Sequence, residues 1–448
     1  MRMISSASLI QYLCRYWHRC LCCVLLALGG GGSAALAEAP VSRPAASGYR
    51  VVQLETDRYA VAHMNARGQV AVNVLRDGRS SVLFYDGQGF RNFGTLGGTS
   101  ATVAGLNDRG QIAFNVERSG TTRAMFYDGR RVVDIGTLGG PGAIAAGVNE
   151  HGQVAGASSI SGDGAVLRPF RWSRATGMVN LGAIGQGDLV VHGINDRGYV
   201  YGSASFPGSE LPSETHGFFW SPRTGILDIG VIREFSLPTS MNEAGTIVGY
   251  AGRGPREVVA FRWTRASGIG DMGTLPDEFT WATHVNNSGQ VVGATPFAAG
   301  ALPHPFLWTP GRGFLDLGVG TAGRGAGTEV TEQGMVIGYL FRDFILQHGF
   351  IWTRETGLIE MGAGNTALRT WAYDVNERGQ VVGHIGDRAV IWTRGQGFID
   401  LNTLAIGGPA GLRLDAGTAI SESGAILATS NSGLYLLVPR DGPRRPQR

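Results

Sequence analysis

Trp281 and Trp371 are the residues of this chain whose type and surroundings best suit ligand chemistry. Each stands five residues before a recurring Asn-x-x-Gly turn, away from the position where the other tryptophans of the repeat fall. Asp277, Glu278 and His284 accompany the first, and Arg369, Tyr373 and Asp374 the second. An aromatic face beside carboxylates and an arginine fits a sugar or another polar, ring-bearing ligand. The competing reading is that each large ring caps its own repeat against solvent. Asp277/Glu278 and Glu210/Glu214 are carboxylate pairs of the kind that share acid and base roles in glycoside cleavage, but nothing in their spacing makes them meet. His216, His304 and His348 occupy one repeat position and diverge onto different units, whereas His63, His192 and His284 fall on inner strands. No His-x-His or His-x-x-x-His spacing accompanies them, so no metal centre is expected.

Recognisable catalytic motifs are absent: there is no Gly-x-Ser-x-Gly, no P-loop and no His-Glu-x-x-His. The chain has no lysine, all 38 basic residues being arginine, which excludes Schiff-base chemistry. No cofactor is expected, and an enzyme is the less favoured class.

The elements that must position these residues are repeats. Asn65-Ala66-Arg67-Gly68 recurs at Asn107, Asn149, Asn195, Asn242, Asn286 and Asn376, with worn copies at Thr331 and Ser421, the first residues lying 42 to 47 positions apart. A period in that range indicates a solenoid, propeller or array. Asn at the first position can bond the backbone two residues on, and Gly at the fourth accepts the positive φ of a type I turn with a G1 bulge. A calcium loop is the alternative, but the second position varies among Ala, Asp, Glu and Asn. Around each turn lie short β-branched and aromatic runs bounded by Gly, Asn and Pro, four to a unit, designated a to d. Strand c ends in a ring, from Tyr85 and Tyr127 to Trp352 and Trp392, placed to pack between adjacent sheets. The fold class is therefore all-β, a propeller of nine four-stranded blades, with eight as the alternative. Val51-Val52-Gln53-Leu54 matches a fourth strand that has no first three, and the last unit lacks a fourth, so the N-terminal strand is expected to complete the last blade.

Residues 1–37 read as a secretory signal: Arg15, His18 and Arg19, the apolar run Leu21 to Leu28, then Ala35-Leu36-Ala37. All four cysteines, Cys14, Cys20, Cys22 and Cys23, lie within it, leaving a mature chain without disulfides. A linker at 38–48, a single propeller domain at 49–439 and a disordered basic tail at 440–448 complete the expected organisation. Without Arg2, Arg15 and Arg19 the mature chain carries 35 basic and 35 acidic residues. That balance argues against nucleic acid or an anionic membrane as partner. Short, uniform a-to-b and c-to-d turns gather on one face, and variable d-to-a and b-to-c loops on the other, where binding is expected.

The units resemble the HAF-repeat family, bacterial repeat proteins regarded as extracellular. The resemblance rests on His216-Gly217-Phe218-Phe219-Trp220, His304-Pro305-Phe306-Leu307-Trp308 and His348-Gly349-Phe350-Ile351-Trp352, with Asp134-Ile135-Gly136-Thr137-Leu138-Gly139-Gly140 and Phe93-Gly94-Thr95-Leu96-Gly97-Gly98 closing units. It covers nearly all of the mature chain and implies no particular activity. The expected product is a secreted or periplasmic monomeric scaffold that binds a glycan or protein on its loop face, without membrane insertion after cleavage. A propeller hydrolase or lyase acting on a polysaccharide is the alternative.

Export makes a direct prediction. Expressed with its leader, the protein should leave the cytoplasm with Glu38 as its first residue, as read by N-terminal sequencing. Recovery of residues 1–37 on a cytosolic product would contradict it.

Overall fold

The computed structural model describes residues 48–55, 61–185, 189–206, 215–253, 257–273, 279–298, 301–318, 323–342, 347–362 and 368–440. The signal, most of the linker, and the tail beyond Arg440 lie outside the described residues.

The described chain is a nine-bladed β-propeller. Eight blades are antiparallel sheets of four strands hydrogen-bonded in sequence order. Blade 6 is representative, with strand a Trp281–Val285, b Val291–Thr295, c His304–Thr309 and d Gly313–Asp316. The ninth sheet closes the ring. Its fourth strand is the N-terminal Tyr49–Glu55, antiparallel to Gly433–Pro439, with Arg50 opposite Val438 and Val52 opposite Leu436. This is the closure expected from the orphan strand. One further element was not legible in the sequence: Ala405–Ile406 pairs parallel with Tyr49 and Arg50, giving the closing sheet a fifth strand.

The turns form as their residues dictate. At residues 65–69 the Gly68 N–H donates to the Asn65 carbonyl at 2.9 Å, and the Asn65 N–H to the Gln69 carbonyl at 3.1 Å. The fourth-position glycines of all nine turns have φ between 70° and 84°, a region costly for any side chain with a Cβ. The Asn65 Oδ1 accepts the N–H groups of Arg67 and Gln69. Its Nδ2 does something sequence reasoning missed, donating at 2.8 Å to the carbonyl of Asn107, the same position one blade on. Asn107 reaches Asn149, Asn149 reaches Asn195, Asn195 reaches Asn242, and Asn242 reaches Asn286 in the same way.

A second ladder runs beside the first. The N–H of each second turn residue donates to the side chain of the second residue of the following turn: Ala66 to Asp108, Asp108 to Glu150, Glu150 to Asp196, and onward to Glu377 with Glu422. The variation at that position preserves an acceptor. Ala66 alone lacks one, and at that junction the Ser423 N–H donates to the Ala66 carbonyl instead.

Apolar packing joins the blades further out. The ring ending strand c lies on the residue that precedes the ring in the previous blade: Trp172 on Phe126 at 5.1 Å and Trp263 on Phe219 at 5.0 Å. Guanidinium groups take that place at Arg171 over Trp220 and Arg262 over Trp308. Within blades, a strand-b glycine faces a strand-c phenylalanine, as Gly202 does Phe218 and Gly293 does Phe306. A Cβ on Gly293 would stand 2.0 Å from the Trp281 carbonyl oxygen, so no larger residue fits there. Val52, Leu54, Leu434 and Leu436 of blade 9 share a core with Val70, Val72 and Tyr85 of blade 1. Glu55, only 7% exposed, meets Arg76 of blade 1 at 3.3 Å.

Removing residues 38–55 therefore exposes an edge and opens the seam. The truncated protein should melt well below the full mature chain, a loss of stability several times the roughly 1 kcal/mol of an ordinary point change. Equal melting temperatures would exclude the N-terminal strand as the closing element.

Candidate functional site

Strand a runs from the loop face to the turn face, so its residues line the axis at successive depths. Trp281 and Trp371 sit at its loop-face end and His284 and Asp374 three residues further on, about 10 Å deeper at strand rise. A bulge interrupts each of these strands between the two levels, at Ala282/His284 and Ala372/Asp374, and such a bulge re-aims the side chains beside it.

The candidates from sequence separate into two groups. Trp281 and His284 lie on strand a of blade 6, and Trp371 and Tyr373 on strand a of blade 8, with exposed Arg369 just ahead of it. Asp277, Glu278, Glu210 and Glu214 lie outside the described residues. Trp371 is 9% exposed and stacks on Tyr339 of blade 7, ring centroids 5.5 Å apart and planes 18° from parallel. Tyr373 touches Trp371 at 5.9 Å and His384 at 5.7 Å. Burial lowers the His384 pKa, outweighing the Gly386 carbonyl and the Asp415 charge that raise it, so this imidazole favours its neutral form.

Blade 6 presents a different surface. Phe279 is 43% exposed and lies 5.0 Å from the half-buried Trp281. The hydroxyls of Thr280 and Thr295, 3.1 Å apart, tie the start of strand a to the end of strand b. Phe297, 38% exposed, and Leu302, 43% exposed, follow in the b-to-c loop on the same face. Sequence reasoning found Trp281 but not these three apolar residues, because a large side chain in a loop has no periodicity to flag it.

Deeper along the axis, three consecutive blades place His284, Glu329 and Asp374 at one position. His284 Nδ1 accepts from the Val330 N–H at 3.4 Å, while the Asp374 carboxylate accepts from Val375 at 2.9 Å and Ile420 at 2.7 Å. Glu329 keeps some exposed surface yet is enclosed by protein on almost every side. That burial pushes its pKa well above the usual carboxylate range, and the charges of Asp374 and Glu377 push it the same way. Glu377 is raised too, by partial burial first and by Glu332 and Glu422 second. A carboxyl with its pKa raised, beside one that accepts two backbone donors, is suited to donating a hydrogen bond or a proton. In the sequence the signal was faint: this position is Gly or Ala in four repeats and turns polar in adjacent ones.

The outer-strand histidines have a structural partner. His216 Nδ1 lies 2.8 Å from Asp228 and His304 Nδ1 3.0 Å from Asp316, fastening strand c to strand d. His348 Nδ1 lies 2.7 Å from Glu360, off the hydrogen-bonding direction and so an electrostatic contact. Among the described residues no group of three or more His, Cys, Asp or Glu could hold a metal ion, and no helix is long and apolar enough to cross a membrane.

No family model matches the chain, and no curated protein matches it. Solved propeller-containing structures are similar in fold. Puromycin hydrolase aligns with TM-score 0.42 at 12% identity over 87% of this chain and 61% of its own. The propeller domain of the Trilobed protease from Pyrococcus furiosus aligns with TM-score 0.38 at 8% identity over 80% and 96%. TolB from Acinetobacter baumannii aligns with TM-score 0.32 at 13% identity over 49% of this chain, which spans about half of TolB's own length, 53%. At this similarity none of their activities transfers to this chain.

Glu329 carries a pH prediction. Its folded pKa is raised above the unfolded value, so folding takes up a proton between the two. The stability it contributes is complete below the unfolded pKa, about 4.5 for a glutamate, and is lost as pH rises through the folded value. Glu329→Gln should remove that loss, so that thermal melts from pH 4 to 8 show the variant gaining on the parent as pH rises. Parallel profiles would contradict the assigned shift.

Proposed function

We propose that this chain is an exported member of the HAF-repeat family, a monomeric propeller scaffold that binds a glycan on its loop face. The observation that carries this reading is the aromatic pair on blade 6, where exposed Phe279 lies 5.0 Å from half-buried Trp281, with exposed Phe297 and Leu302 in the b-to-c loop of the same blade. Large apolar side chains left open side by side mark an interaction site. Aromatic faces of this kind suit the apolar side of a sugar ring, with half-buried His284 further down the same strand as a polar group. Trp371 belongs to the scaffold in this reading, because its stacking on Tyr339 leaves it little surface to offer.

A propeller hydrolase or lyase acting on a polysaccharide is the second reading. It is favoured by one observation, enclosed Glu329 beside Asp374, with its pKa raised by burial and by the Asp374 charge. An acid and a base that serve one bond must face each other across one pocket.

A glycan array probed with the parent and with Phe279→Ala, Trp281→Ala and Trp371→Ala variants tests both readings. The first two should weaken retained glycans at least about tenfold, and Trp371→Ala should lower the melting temperature instead. Unchanged binding by both blade 6 variants would move the site elsewhere. Turnover of the bound glycan, abolished by Glu329→Gln, would replace the binding module with the enzyme.

A further inference from the structure

The face opposite the loops is built differently. Each c-to-d turn of blades 4, 5 and 7 is closed by a pair of hydroxyls, Ser221 with Thr224 at 2.8 Å, Thr264 with Ser267 at 2.7 Å, and Thr353 with Thr356 at 2.8 Å. A glycine with φ between 64° and 75° then leads into strand d in blades 4 to 7. In blade 6 the turn is closed by the Arg312 N–H donating to the Thr309 carbonyl at 3.0 Å, and each of these four turns carries one exposed arginine: Arg223, Arg265, Arg312 and Arg354.

Ion pairs on this face quiet three other arginines. Arg131 and Arg174 meet Asp128, and Arg394 meets Glu355. Among the described residues the four arginines of blades 4 to 7 have no ion-pair partner. On strand d the nearest acids, Asp228, Asp271, Asp316 and Glu360, lie at its far end, and Glu355, beside Arg354 in its turn, is taken up by Arg394. That far end is about 10 Å away by strand rise, close to the distance over which salt screens charge. The inner turn carboxylates of this face, such as Glu243 and Glu332, are bonded to backbone N–H groups nearer the axis. The c-to-d turns of blades 4 to 7 therefore each present a guanidinium that no described carboxylate pairs with.

We propose that this arginine rim binds a linear polysaccharide bearing uronate carboxylates. Each guanidinium is a planar fork matched to a carboxylate. Stacked sheets stand about 10 Å apart, so successive forks are too far apart to converge on one small anion and instead meet successive charges of a polymer. None of the exposed large hydrophobic residues lies in these four turns, so the rim offers a bilayer no apolar anchor. Nor does it offer single-stranded nucleic acid a stacking ring.

The test is binding of the full mature chain to immobilised polygalacturonate at low salt, with anionic phosphatidylglycerol vesicles and single-stranded DNA in parallel. The parent should bind polygalacturonate in preference to both, and lose it as salt rises. The combined Arg223→Gln, Arg265→Gln, Arg312→Gln and Arg354→Gln variant should bind at least about tenfold more weakly with an unchanged melting temperature. Arg79→Gln with Arg118→Gln, on the loop face, should bind as the parent does. Absence of parental binding, preference for vesicles or DNA, or an equal loss in the loop-face variant would overturn the proposal. Because blade 6 aromatics are untouched, the outcome is independent of the glycan shelf on the other face.

Discussion

The amide of each turn asparagine bonds in two directions at once, and the ring depends on that. Its oxygen folds the turn locally, while its nitrogen crosses to the next blade and satisfies a buried carbonyl. Each asparagine is at most 7% exposed, so its polar groups have no water to fall back on. A buried hydrogen bond of this kind contributes about 1 kcal/mol net, and a partner left unpaired costs about 1 to 3 kcal/mol. Repeated around the axis, the ladder crosses seven of the nine junctions between blades, and the second-position carboxylates reinforce it. Threonine and serine at residues 331 and 421 keep the local role, accepting from Met335 and Ala425, but are too short for the crossing. At the second of these junctions the carboxylate ladder also stops, and the N-terminal strand supplies the closure instead.

Much of this was legible in the sequence, because a nine-fold repeat states its own period and the turn glycines have one physical purpose. The orphan strand Val51 to Leu54 likewise announced its partner, since an unpaired edge at each end of a chain has a natural resolution. What stayed hidden was every relation between blades. The Asn107 to Asn149 bond joins residues 42 positions apart, and no local pattern distinguishes it from an ordinary Asx turn. The acceptor preserved at the second position was visible in Asp108, Glu150 and Glu243, yet chemical variety there disguised a shared hydrogen-bonding role. The parallel pairing of Ala405–Ile406 with Tyr49 left no sequence signal at all.

The site was legible in the same uneven way. Trp281 and Trp371 were equivalent in sequence, and burial makes them unlike: one stands beside an exposed phenylalanine, whereas the other is filled in by Tyr339 from the preceding blade. Glu329 drew no notice among 35 acidic residues, because its unusual property comes from enclosure and from Asp374 on the next strand. Rigidity links these observations to function. A ring fastened at its inner turns leaves both faces free to vary, so an apolar shelf and a cationic rim can be carried on opposite ends of the same sheets.

If the crossing amide is what couples the blades, then supplying it where it is missing should strengthen the ring. The most direct measurement is the urea midpoint of Thr331→Asn, which restores a donor toward the carbonyl of Asn376, set beside Asn149→Thr, which removes one. The midpoint of Thr331→Asn should rise by an amount equivalent to about 1 kcal/mol of unfolding free energy, and that of Asn149→Thr should fall by at least as much. A Thr331→Asn protein no more stable than the parent, with Asn149→Thr equally unaffected, would reduce the asparagines to local turn formers and contradict the central role given to the ladder.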